Sequence, residues 1–347
     1  CTLVGAAILA PPYSLFQPPP RGAKAKKADR LRALTDDAPE PTGAAIGHLP
    51  QASHGLKAAG TQLLSRTAFE MALIFRSPAY LVLMLLGFAF AFAMLFFTGE
   101  MYGAPILLVT RVAITALFGA FSLISIVISI YYSGELVWRD RERKMHEIID
   151  ASAAPDWTFL IPKTLALVLV LLSTALVGIL AGVVTQAIKG YFDFELGKYI
   201  VWYAIPQAVG FSLIAILAIF VQALSPNKFV GWAVMVVYMI STIVMSNLGL
   251  DHPLYQYGRG IGVPLSDMNG RGDFALFNSW FDLYWTAFAV ILLVIVYGLW
   301  RRGTETRLAP RLKRFPRRLA GPAGVIGLLA AVAFVGLGGF IYTNTNV

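Results

Sequence analysis

Seven stretches of this chain carry no Asp, Glu, Lys or Arg. They are residues 77–99, 112–134, 164–188, 199–227, 229–250, 283–300 and 319–347, with lengths of 23, 23, 25, 29, 22, 18 and 29 residues. An α-helix rises 1.5 Å per residue, so about 20 apolar residues cross a hydrocarbon layer of roughly 30 Å. Every run qualifies, and the shortest should also take in residues 279–281. Seven such runs exclude the buried core helices of a soluble protein. Composition agrees: 57% of residues are hydrophobic and 14% charged, where a soluble domain carries about a quarter charged residues. The expected fold is all-α, a polytopic transmembrane helical bundle.

The formal net charge of +9 is explained by its distribution. With residues 21–76 placed in the cytoplasm and sides alternating after each span, 23 of the 28 Lys and Arg fall inside and 5 outside. That asymmetry orients the bundle and leaves no need for a nucleic-acid partner. The end of the chain, after the seventh span, is then expected outside. The single cysteine, Cys1, supports neither a disulfide framework nor a zinc cluster. Residues 1–10 read as the end of an earlier membrane span. Residues 11–60 are rich in Pro, Ala and charge and read as a cytoplasmic linker.

Leu64, Ala68, Met71, Ala72 and Phe75 then recur at helical spacing, with Arg66 and Glu70 expected to pair four apart on another face. This suits either a helix lying in the membrane interface or an early start of the first span. Residues 135–163 form the longest inner loop with a helical pattern. Met145, Ile148 and Ile149 line one face and Arg143 and Glu147 stand four apart. Pro155 should end that helix and Trp157 suits re-entry at the interface. The outer loop 251–279 carries Gly258, Gly260, Gly262, Gly270 and Gly272 and is turn-rich. Residues 301–318 form a basic inner loop with Pro310 and Pro316, suited to anionic head groups.

Motif tests exclude several chemistries. His146-Glu147-Ile148-Ile149-Asp150 begins like a zinc-peptidase helix, but Asp150 stands where the second His belongs. Asp267-Met268-Asn269-Gly270-Arg271-Gly272-Asp273 puts Arg271 at a calcium-ligand position, so a turn on Asn269-Gly270 is the better reading. No phosphate-binding loop occurs, so this chain does not hydrolyse ATP by that chemistry. The uncharged run interiors argue against ion-coupled transport. Gln186, Gln207, Gln222 and Asn247 suit hydrogen bonds between helices, and Pro206 should kink its helix.

The inner loop carries Glu135, Arg139, Glu142, Ile148 and Ile149, Pro155, Trp157 and Lys163 in order. With an interfacial helix and six spans around it, residues 61–300 resemble the membrane half of an ABC-2 type transporter permease. The resemblance implies that this loop, including Arg141 and Met145, is the coupling helix that docks on a separate ATPase subunit. Reversing Arg139, Arg141, Arg143 and Lys144 to Glu should then uncouple ATP hydrolysis from transport. A narrower resemblance rests on the basic linker, on Ser266-Asp267-Met268-Asn269-Gly270, on Trp280 with Tyr284-Trp285, and on the seventh span ending in Ile341-Tyr342-Thr343-Asn344-Thr345-Asn346. It is to bacterial fusions of ABC permease halves with an outside aminopeptidase-N-like zinc domain.

These resemblances imply a multi-pass permease of a bacterial inner membrane, working in an ATP-driven exporter. The chain itself would be no enzyme and hold no cofactor, with ATP on the partner subunit. Its partners would be the ABC ATPase, a second permease half and membrane lipids. The domain order expected is a span end (1–10), linker (11–60), six-span permease half (61–300), basic loop (301–318) and seventh span (319–347). The alternative is a membrane anchor presenting an extracytoplasmic aminopeptidase-like domain.

Overall fold

An apolar run in hydrocarbon must satisfy its own backbone, which coiling achieves. The computed structural model describes residues 55–97, 100–101, 104–105, 107–151, 155–250, 252–262, 265–303 and 308–345. The span end at residues 1–10 and the linker as far as residue 54 lie outside the described residues. In chain order the helices are α1 (Leu56–Phe75), α2 (Pro78–Phe96), α3 (Thr110–Glu142), α4 (His146–Asp150), α5 (Trp157–Ile188), α6 (Leu196–Leu224), α7 (Lys228–Asn247), α8 (Phe274–Leu299), α9 (Leu308–Arg318) and α10 (Pro322–Thr345). Among the described residues, seven of them are long and apolar enough to cross a membrane: α2, α3, α5, α6, α7, α8 and α10. Each contains one of the uncharged runs, in whole or in most of its length. The chain is an all-α, multi-pass membrane protein. A two-residue antiparallel pair, Glu100–Met101 with Ala104–Pro105, closes the turn between α2 and α3.

Three boundaries and one ion pair differ from the sequence expectation or decide between alternatives. First, α1 is a separate helix that begins at Leu56. Ser77 is extended and Pro78 opens α2, because proline disfavours helix at the residue before it and lacks an N–H that a first helical position does not need. Second, Glu70 does not pair with Arg66. Its carboxylate is taken by Arg139 and Lys163, while Arg66 stands over the Phe159 ring. Third, α8 starts at Phe274, well before the uncharged run, and so contains Asp282. Asn278 Nδ2, one turn earlier, donates to that carboxylate at 3.0 Å. Fourth, residues 308–318 of the basic loop coil into α9, with Pro310 in the first turn where its missing N–H costs nothing.

Helices α3, α5 and α6 form the centre. Helix α2 packs on α3 and α5, α7 on α3 and α6, α8 on α6, and α10 along α8. Close approach of α5 and α6 follows from Gly178 and Gly182, small residues four apart on α5. A Cβ at Gly178 would stand 2.8 Å from the Tyr203 hydroxyl oxygen, and one at Gly182 would stand 2.8 Å from that of Tyr199. Tyr199 and Tyr203 belong to a π-helical turn, Tyr199–Ala204, at the start of α6. Its cause lies in Pro206, which has no N–H to give the Trp202 carbonyl four residues back. That carbonyl accepts instead from Arg271 at 2.7 Å. The kink expected at Pro206 thus takes the form of a π turn closed by a distant arginine.

Gln186 and Gln222 do bond between segments, as expected. Gln186 accepts from Tyr199 (2.9 Å) and donates to the Leu108 carbonyl (3.1 Å). Gln222 accepts from the Trp138 indole at 3.1 Å. Asn247 does not; it donates to Ile243 of its own helix.

Replacing Gly178 by Ala should therefore overpack the α5–α6 contact and lower stability by about 1–2 kcal/mol, despite the better helix propensity of Ala. In a Tyr203→Phe background the loss should shrink to less than half, because the clashing oxygen is gone. Thermal unfolding in detergent of the two single variants and the double variant measures both effects.

Candidate functional site

Ion pairs between distant segments sort by bundle end. At the end holding α1, α4 and α9, a neutral cluster of two acids and two bases ties three helices together. Lys163 lies seven residues into α5, and its side chain and that of Glu70 are each 4% exposed. A buried ammonium must fill its three N–H donors. Lys163 does so with Glu70 Oε1 (3.0 Å), Asp140 Oδ2 (3.1 Å) and the Leu136 carbonyl (2.7 Å). Arg139 takes the other oxygen of Glu70 and lies over Phe69. The cluster fixes α1 against α3 and α5.

A second fixture joins α7 to α3. Glu135 and Glu142 are two turns apart and so share a face. The Lys228 ammonium reaches both, at 3.0 and 2.8 Å. The preceding Asn227 caps α7 by accepting from the Val230 N–H at 2.9 Å.

Between these fixtures the chain leaves α3 sharply. Lys144 adopts a left-handed conformation with φ 55°. The Lys144 N–H donates to Arg141 O (3.0 Å) and the Met145 N–H to Asp140 O (2.9 Å), which closes the helix and turns the chain aside. The five-residue α4 follows and ends at Asp150, ahead of Pro155; residues 152–154 lie outside the described residues. Ile149 faces the core, whereas Met145 is 49% and Ile148 76% exposed. Arg143, Lys144 and Glu147 are exposed beside them. The chain re-enters at Pro155, whose carbonyl accepts from Thr158 Oγ1 at 2.7 Å, and Trp157 opens α5.

Both feet of this excursion are held by the turn after α8. Asp150 Oδ2 accepts from the Gly303 N–H at 2.8 Å, and Arg302 donates to the Asp150 carbonyl at 3.2 Å. Arg302 also pairs with Asp156 at 2.9 Å, and Arg318 of α9 approaches the same carboxylate. Arg141 donates to the Gly303 carbonyl at 3.4 Å. Arg301 stacks over the Trp138 ring and donates to the Ser225 carbonyl. Burial first, then the nearby Arg311 and Arg141, holds its guanidinium down to about 10.

The residues singled out in the sequence thus divide. Glu135, Arg139, Glu142 and Lys163 are internal ties, and Arg141 is held by Gly303. Met145 and Ile148 face outward; Pro155 and Trp157 shape the re-entry. Glu70, Asp140, Asp150, Asp156, Lys228, Arg301 and Arg302 complete the site and were not singled out as members of it. Their partners lie in other segments, and helical periodicity carries no signal for such pairs. Reversal of Arg139 would therefore test folding, whereas Arg143 and Lys144 are free to be changed at the surface.

The opposite end differs in kind. The described residues between α7 and α8 do not stay at the end of the bundle but dip between helices. Tyr238, midway along α7 and roughly 14 Å from its C-terminal end, donates to the Tyr257 carbonyl at 3.1 Å. Tyr257 donates to the Leu213 carbonyl at 3.0 Å, and Trp285 to the Arg259 carbonyl at 3.1 Å. The expected turn at Asn269-Gly270 is present: Gly270 has φ 58° and its backbone pairs with Ser266 in both directions at 2.8 and 2.9 Å. Asp267 binds Arg111 at 3.0 Å.

Comparison with protein-family models, with curated proteins and with solved structures gives no match.

Glu70→Gln should destabilise the protein by roughly 3–5 kcal/mol, because it leaves two buried cations facing one carboxylate. Glu70→Leu combined with Lys163→Met should cost much less than the sum of the single changes, since the paired charges leave together. Denaturation in detergent of the singles and the double distinguishes these outcomes.

Proposed function

We propose that this protein is the membrane permease of an ATP-driven, ABC-2 type exporter, oriented with the α4 end in the cytoplasm. A separate ATPase subunit docks on α4 and its flanking turns. The observation that carries this reading is the contrast at α4: Met145, which precedes this short helix, and Ile148 within it are exposed, while the chain on either side is pinned to the turn after α8, by Arg141 before the helix and by Asp150 and Asp156 at and after its end. A pinned, outward apolar pair flanked by Arg143 and Lys144 suits a partner with an apolar groove and an acidic rim. Push on α4 would pass through Arg302 to α8 and through α3 to the Glu70–Lys163 cluster. ATP would be bound and hydrolysed on the partner, and a second permease half would complete the path. The 23-to-5 division of Lys and Arg supports the orientation.

The test uses the chain purified from its own membranes with its bound partners. ATP hydrolysis should co-purify with it, and a photocrosslinker at Ile148 should label a protein that carries a phosphate-binding loop. Changing Met145 and Ile148 together to Asp should lower the co-purifying ATP hydrolysis at least tenfold without lowering the melting temperature. Absence of any ATPase, or unchanged hydrolysis in the variant, would overturn the proposal.

A further inference from the structure

Helix α7 is buried only at Gly231 and Met235, both in its first half. There Gly231 and Gly134 leave room for the Gln222 and Trp232 side chains, which a Cβ at either glycine would strike. Beyond Met235 no residue of α7 is buried, and the dipping loop links that half of the helix to α6 through Tyr238 and Tyr257. The space left beneath that bridge is a cavity of about 290 Å³ between α3, α6 and α7. Its lining has no charged residue; Ser122, Ser125, Gln207 and Tyr238 give it polar points among Phe211 and Leu217. A second cavity of about 340 Å³ shares the Phe118 side chain as a wall and is lined by Thr115, Pro206, Arg271 and Asn278. Each is near the lower bound of the size range of small-molecule sites.

Arg271 is the charged group of the pair of cavities. One of its terminal nitrogens is committed to the Trp202 carbonyl freed by Pro206. Its Nε is buried and has no hydrogen-bond partner among the described residues. Among the described residues no carboxylate forms an ion pair with this permanent cation, whose guanidinium lines the second cavity and so suits an anionic partner there. The nearby carboxylates are engaged elsewhere: Asp267 with Arg111 at 3.0 Å, and Asp282 with Asn278 at 3.0 Å. Asp282 attracts Arg271 through space without bonding to it.

We infer that the two cavities form one binding site for an amphiphile with a single acidic head group, the head pairing with the Arg271 guanidinium where it lines the second cavity and the apolar tail passing Phe118 into the uncharged inner cavity. That the amphiphile is the exporter's cargo rests on the function proposed above; that it binds does not.

Gly210 supplies a clean perturbation. It lines the inner cavity and is itself exposed, and a Cβ there meets nothing within 4 Å, so Gly210→Leu narrows the cavity mouth without a clash at its root. Native mass spectrometry of the full chain in an uncharged detergent can compare lysophosphatidic acid with a monoacylglycerol of equal chain length. The acidic lipid should bind one-to-one and at least tenfold more tightly than its uncharged counterpart. Arg271→Gln, whose amide can still donate to Trp202, should abolish that preference, and Gly210→Leu should weaken both lipids at least tenfold. The variant with Asp at positions 145 and 148 should bind like the parent, so loss of ATPase docking leaves this result untouched.

Equal binding of the two lipids by the parent chain would overturn the inference, as would a preference that survives Arg271→Gln. If Arg271→Gln does not fold, Gly210→Leu decides alone, and unchanged binding there counts against the site. Inorganic phosphate displacing the acidic lipid without regard to its chain would reduce the site to a head-group pocket and overturn the amphiphile assignment.

Discussion

Lys163 sits within a membrane helix because three acceptors meet its three N–H bonds. Desolvating that ammonium without them would outweigh much of the stability of a domain. The requirement propagates. Glu70 must come from α1, so α1 has to lie against α3 and α5. Asp140 and Leu136 must be presented by α3, so that helix has to continue past the apolar run to Glu142. The long extension of α3 beyond its uncharged run then carries Glu135 and Glu142 to Lys228 and sets the root of α4.

The two ends of the bundle consequently do different work. At the basic end, charge pairs fasten every element that surrounds α4, and the exposed Met145 and Ile148 stand on a stiff base. At the other end, besides the Arg111–Asp267 pair, the dipping loop is held through backbone carbonyls that accept from Tyr238, Tyr257, Trp285 and Arg271. Pro206 frees the Trp202 carbonyl, Arg271 takes it, and the loop that carries Arg271 is drawn in over the gap between α6 and α7. One missing N–H in α6 thus connects to the position of a cationic side chain at a cavity wall. Helix α10 stays peripheral, its glycine face against Tyr284 and its Phe334 ring stacked on the same residue at 4.4 Å.

Span number was legible in the sequence because hydrocarbon thickness sets a length, and uncharged runs measure it directly. The separateness of α1 was half legible: periodicity marked the helix, and only the Ser77-Pro78 break separated it from α2. The start of α8 was hidden, because a ruler of uncharged residues stops at Asp282 and does not see Asn278 meeting that carboxylate. Glu70 was misassigned for a similar reason. Spacing of four offers Arg66 as partner, but burial favours the cations that three helices bring together. The loop was legible as an amphipathic pattern, yet its division into fastened and outward residues depends on the turn after α8, far away in sequence. The inner cavity left no sequence signal, since its lining is drawn from α3, α6, α7 and the loop after α7, which are far apart in sequence.

The most direct test of this two-ended organisation is sidedness. With Cys1 replaced by Ser, single cysteines at Ile148 and at Met268, which is 99% exposed, can be labelled with a membrane-impermeant maleimide in sealed right-side-out vesicles. The expected result is labelling of position 268 in intact vesicles and of position 148 only after they are opened. Labelling of position 148 from outside, or protection of position 268, would place the basic end and its fastened α4 on the wrong side for any cytoplasmic partner and contradict the account.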